Sequence, residues 1–105
     1  MTRTNLKILN SPTTIPEITW ILSELQKLGL KSLLVEGGSV TYASFLKIGA
    51  VDRLLLFISP KIIGGQNALS WCAELGVDQL DQALQIDIFS ITPVGEDWLI
   101  DAKIK

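Results

Sequence analysis

At 105 residues, with a formal charge of −2, 48% hydrophobic residues, one cysteine and no histidine, the sequence describes one small apolar-rich domain. Its scattered charges include no Lys/Arg block that could neutralise a run of phosphates, which excludes nucleic acid as a partner, and its longest apolar stretch, Leu54 to Ile58, falls far short of the roughly 20 residues of a membrane span. The absence of His excludes Ser/His/Asp or Cys/His catalysis and an ordinary zinc site, so any enzymatic chemistry is expected from a bound cofactor, as in hydride transfer.

The segment Met1-Thr2-Arg3-Thr4-Asn5 lacks the apolar core of a secretory signal, and the lone Cys72 cannot form an internal disulfide, so a reducing cytoplasmic location is expected. Leu6–Leu9 is a strand candidate, followed by the turn-rich Asn10-Ser11-Pro12-Thr13. Thr14 with Glu17 forms a capping-box pattern, with Pro16 in the first turn, where its missing N–H costs little. A helix is expected from there to Leu28: Ile18, Ile21, Leu22, Leu25 and Leu28 share one face, and Gly29 suits the C-terminal cap.

Ser32-Leu33-Leu34-Val35 is a continuous apolar run of the kind found in buried parallel strands. With the first strand and the helix it makes a βαβ unit, for which a right-handed crossover is expected. A second helix begins at about Ser39, carries Tyr42, Ala43, Phe45 and Leu46 on one side, and ends at Gly49. Leu54–Ile58 reads as another buried strand, ended by Pro60; Lys61-Ile62-Ile63 could extend it before a loop at Gly64-Gly65. From Gln66 to Ala83 the pattern weakens, with a short helical turn expected at Trp71-Cys72-Ala73.

The last quarter alternates. Leu84, Ile86, Ile88 and Ile91, a turn at Pro93–Asp97, and then Trp98, Ile100, Ala102 and Ile104 predict an antiparallel hairpin with one buried face. The whole reads as a three-layer α/β domain over residues 1–105, with a mostly parallel sheet and an antiparallel C-terminal hairpin. A domain this small has too little interior for so much apolar surface, so a homo-oligomer, most simply a two-fold dimer, is expected.

Glu36-Gly37-Gly38-Ser39 joins the second expected strand to the second helix. Two glycines permit positive φ and the approach of a ligand, while the first helical amides and the helix dipole favour an anion. The turn is therefore either a phosphate cradle or simply a tight connection. Glu36, at the end of an apolar strand, is read as partly desolvated and in contact with ligand; the plainer role is to accept backbone hydrogen bonds across the turn. Asp52 reads as a cap or turn residue, Gly64-Gly65 as a loop needing freedom in φ, Cys72 as a small buried hydrophobe beside Trp71, and Trp20, Trp71 and Trp98 as packing residues.

Taken in order, Leu33-Leu34-Val35-Glu36-Gly37-Gly38, Phe45-Leu46, Ala50-Val51-Asp52-Arg53, Ser59-Pro60-Lys61-Ile62-Ile63-Gly64-Gly65, Leu75-Gly76-Val77-Asp78 and Gly95-Glu96-Asp97 resemble the C-terminal half of the riboflavin-biosynthesis reductase domain, the RibD C-terminal family. The resemblance implies a partial dihydrofolate-reductase-like fold and NADPH-dependent reduction of 5-amino-6-(5-phosphoribosylamino)uracil to its ribityl product. It further implies that Gly37, Gly38, Ser39, Val40 and Thr41 hold the cofactor diphosphate, and that Glu36 lies near the ribosyl carbon and orients substrate. The family's N-terminal half, with its lysine- and serine-bearing substrate motifs, has no counterpart in this sequence. A non-catalytic remnant that keeps the fold, and a reductase of another pterin- or pyrimidine-like substrate, are the alternative readings.

Overall fold

Both helices end on the same device, a left-handed glycine one residue past the C-cap. The computed structural model describes residues 10–12 and 17–105, and the chain forms two compact units, residues 1–35 and 36–105. In the first unit, α1 spans Ile18–Lys27 and Gly29 takes φ +79. Gly29 N–H donates to the Gln26 carbonyl at 2.9 Å and Leu30 N–H to the Leu25 carbonyl at 3.2 Å, the paired bonds of a Schellman motif. Most of the predicted stripe is present: Ile18, Ile21, Leu22 and Leu25 are half-buried, whereas Leu28, at the C-cap, is exposed. The N-cap is Glu17, without a side-chain cap. Thr14 and Pro16 of the expected capping box, and the expected Leu6–Leu9 strand, lie outside the described residues.

The expected parallel strand at Ser32–Val35 requires correction. Residues 31–38 join no ladder, and Leu34 is 73% exposed. So short a run carries no pairing preference of its own; a buried strand is made by the neighbours it pairs with.

The second unit begins at Glu36. Helix α2, Ser39–Lys47, buries Ala43, Phe45 and Leu46 and ends on Gly49 at φ +69, with Gly49 N–H on the Leu46 carbonyl and Ala50 N–H on the Phe45 carbonyl at 3.2 and 3.1 Å. After it come β1 (Arg53–Ile58), a single 3₁₀ turn (Leu80–Gln82), β2 (Ile86–Val94) and β3 (Asp97–Ile104). The sheet order is β1-β3-β2, and both ladders are antiparallel. The α/β class and the antiparallel C-terminal hairpin agree with the sequence reading, but its expected buried face does not hold on β2, where every residue is exposed, and no parallel ladder occurs among the described residues. Strand β1 ends before Pro60 as expected, but as an edge strand it is not buried: Leu55 and Phe57 are exposed. Residues 61–65 do not extend it, although Gly64 and Gly65 do take positive φ. Trp71 and Cys72 form a bend and not the helical turn expected at Trp71–Ala73.

Register explains the hairpin's composition. Ile100 lies between Leu56 and Ile91, and Ala102 between Leu54 and Ile88, so one face of the sheet is apolar throughout, with Ala102 fully buried at its centre. Pairing shifts between Ile88 and Ser90, leaving Phe89 as the extra residue of a bulge. The bulge lets Ile86 and Ile88, at even positions, share a face with Ile91, at an odd one. Gly95 (φ +61) followed by Glu96, which has no positive φ, is the pattern of a two-residue type II′ turn, whose twist matches that of the strands it joins.

Candidate functional site

The start of α2 is an uncapped helix end. Gly38 is the N-cap, at φ −83 and ψ 175, and glycine has no side chain with which to accept the first amides. Tyr42 N–H makes the first intrahelical bond, to the Gly38 carbonyl at 3.2 Å. The amides of Ser39, Val40 and Thr41 therefore point out of the helix with no partner among the described residues, and no acidic side chain occupies the first turn. Three convergent N–H donors on the positive end of a nine-residue helix can bind an anion.

The two glycines serve different ends, and of the two uses read from the sequence, positive φ and open approach, only the second is found. Neither Gly37 nor Gly38 takes positive φ. The chain enters the helix through an extended N-cap, which any residue can adopt, so the positive φ that two glycines permit is not used here. A Cβ on Gly37 would meet the Thr41 side chain at 3.2 to 3.4 Å, so close packing against α2 favours glycine. A Cβ on Gly38 would meet nothing within 4 Å. Neither backbone angle nor internal contact requires glycine at position 38, but a Cβ there would stand in the open space before the three amides. These residues suit a diphosphate.

Glu36 is exposed and forms no hydrogen bond or ion pair among the described residues. The expected desolvation is absent, and so is the plainer role of a carboxylate bonded across the turn; its side chain is free to meet a ligand. The turn is held by Tyr42, which sequence reasoning had placed only on the helix's apolar side. Its Oη accepts Gly37 N–H at 3.0 Å, and its ring contacts that of Trp71, centroids 6.4 Å apart and tilted by 58°. Ala73 N–H donates to the Ser39 carbonyl at 3.0 Å, so the 71–73 segment braces the turn twice. The available signal was a tyrosine four residues into the helix, since helical side chains lean toward the N-terminus.

A separate cavity of about 440 Å³, walled by Leu46, Leu54, Trp71, Cys72, Leu84 and Ile104 among others, shares no residue with the turn. Cys72 is half-buried there and donates its thiol to the Ala73 carbonyl at 3.3 Å. No helix among the described residues is long and apolar enough to cross a membrane.

Residues 2–100 match the family described as the RibD C-terminal domain. The chain is 42% identical over 80 residues to the riboflavin biosynthesis protein RibD of Actinobacillus pleuropneumoniae, covering 73% of this chain and 21% of that one. It is 27% identical over 103 residues to a 2,5-diamino-6-ribosylamino-4(3H)-pyrimidinone 5′-phosphate reductase of Methanothermobacter thermautotrophicus, covering 98% of this chain and 48% of the relative. The chain thus spans from about a fifth to about half of the length of these relatives. Among solved structures, Acinetobacter baumannii RibD superposes with a TM-score of 0.78 at 20% identity over 87% of this chain and 25% of that one, a likeness of fold.

Proposed function

The chain belongs to the RibD C-terminal domain family, and from that membership we propose that residues Glu36 to Thr41 form the cofactor side of an NADPH-dependent reductase acting on a ribosylaminopyrimidine 5′-phosphate in riboflavin biosynthesis. The reading is carried by one observation: the amides of Ser39, Val40 and Thr41 have no partner among the described residues, and they follow Gly38, where a Cβ would meet nothing within 4 Å. The reductase activity named for the Methanothermobacter relative, which aligns with nearly all of this chain, supports the reaction class.

In this reading the Ser39, Val40 and Thr41 amides donate to diphosphate oxygens, and the α2 dipole favours the negative charge. Gly37 and Gly38 keep that approach free of side chains. When bound, NADPH supplies the hydride that reduces the ribosyl carbon. Glu36, two residues before the N-cap and exposed, accepts a hydrogen bond from a substrate hydroxyl and so fixes the ribosyl group beside the cofactor site. Reducing, cytoplasmic surroundings suit both the nicotinamide chemistry and the free thiol of Cys72. A homodimer completes the proposal. The large apolar side chains exposed along β2, among them Ile88, Phe89 and Ile91, support it, and a stable monomer in sedimentation at micromolar concentration would contradict it.

The test is turnover. With NADPH and 5-amino-6-(5-phosphoribosylamino)uracil, the loss of reduced-nicotinamide absorbance should depend on Glu36, and Glu36→Gln should lower kcat at least about tenfold with little change in the KM for NADPH. Unchanged turnover in Glu36→Gln removes Glu36 from the mechanism.

A further inference from the structure

We propose that Tyr42 positions the glycine turn and adds a fourth donor to it, an inference that rests on the reading of residues 36–41 as a diphosphate site. Because helical side chains lean back toward the N-terminus, a tyrosine at the fourth position of α2 lies over the entry to its own helix. Its Oη accepts the Gly37 amide at 3.0 Å. A phenol has two lone pairs and one proton. Gly37 takes up a lone pair, while the proton is donated to no atom among the described residues. The hydroxyl therefore offers an unused O–H at the same turn as the unpartnered amides of Ser39, Val40 and Thr41, and a phosphate oxygen is the acceptor that suits such a group of four.

The tether matters because Gly37 and Gly38 have no side chains to restrict their own backbone. With Gly37 N–H tied to Oη, the Tyr42 ring against Trp71, and Ala73 N–H on the Ser39 carbonyl, the turn is held from both sides before any ligand arrives. Donors fixed in advance lose less freedom on binding, and affinity rises accordingly.

Tyr42→Phe keeps the ring and its contact with Trp71 and removes only Oη. Inorganic pyrophosphate, titrated into the whole chain by NMR, should shift the Ser39, Val40 and Thr41 amides together with the hydroxyl-bearing ring carbon of Tyr42. In Tyr42→Phe, pyrophosphate and NADPH should both bind about tenfold more weakly. Dihydronicotinamide riboside, which lacks the diphosphate, should bind as before, and the Gly37 amide should exchange faster without ligand. Equal pyrophosphate affinity in the two proteins overturns the proposal. So does an equal loss of NADPH and dihydronicotinamide riboside, the mark of a merely structural role. In the wild-type chain, a titration that leaves Tyr42 or the three amides unshifted overturns it independently of how the variant folds. If pyrophosphate binds through Tyr42 while NADPH does not bind, the reductase reading fails and the role of Tyr42 stands.

Discussion

Arg53 and Asp101 join β1 to β3 through a two-point hydrogen bond, with Arg53 Nε on Oδ1 at 2.8 Å and Nη2 on Oδ2. The register puts Lys103 directly opposite Arg53, so the guanidinium reaches diagonally to a carboxylate and offsets a like-charge pair.

That bond makes part of the stability pH-dependent. Hydrogen bonding to Arg53 holds the Asp101 carboxyl below the usual carboxylate range. A folded value below the unfolded one, about 3.9, means that the contribution is present above that pH and lost as pH falls through the folded value. Thermal melts of the wild type should therefore show a fall on the acid side that is shallower in Asp101→Asn. High salt should shrink the difference between the two proteins, since the Arg53 side chain is largely exposed. Identical acid limbs in the two proteins would show that the pair contributes nothing.

Gly49 is a position where left-handed backbone is required. At φ +69 it carries the paired bonds that close α2, and a Cβ there meets no atom within 4 Å, so the cost of Gly49→Ala comes from backbone conformation alone. The expected loss is about 1–2 kcal/mol by urea denaturation, with ligand binding at the opposite end of α2 retained. A change below about 0.3 kcal/mol would mean that the turn re-forms another way.

The glycines that end helices were legible in the sequence because a Schellman motif is local: Gly29 and Gly49 each follow an apolar periodic run and need nothing from the rest of the chain. The hairpin was legible for the same reason, and the step from Ile88 to Ile91 already held the change of phase that Phe89 absorbs. Ser32–Val35 could not be settled in this way, since pairing depends on a neighbour that the run itself does not specify. At the turn, the residue types pointed to an anion and the glycines to two uses, positive φ and open approach: Gly38 leaves space, whereas neither glycine takes positive φ. Tyr42 escaped notice because its role depends on reaching back five residues to the Gly37 amide, a contact that apolar periodicity does not register.

Phe89 tests the register. Its side chain is 66% exposed, so Phe89→Thr should change stability by no more than about 0.5 kcal/mol. Deleting Phe89 removes the bulge and turns Ile86 and Ile88 away from the face shared with Ile91 and Ala102, which should cost more in denaturant unfolding than the substitution does. Equal stability of the substitution and the deletion would show that the bulge does not set the phase.

Gly38 gives the most direct test of the central claim, that the start of α2 holds the NADPH diphosphate. Its extended φ and ψ accept any residue, and a Cβ there meets nothing, so Gly38→Asp is compatible with the fold. The new carboxylate should cap the free amides of the first turn, raising stability by about 1 kcal/mol while placing negative charge where the diphosphate would bind. Fluorescence titration of NADPH against the wild type and Gly38→Asp should show saturable binding in the first and affinity at least about tenfold weaker in the second. A Gly38→Asp protein that is as stable as the wild type or more so, and binds NADPH with undiminished affinity, would contradict the assignment.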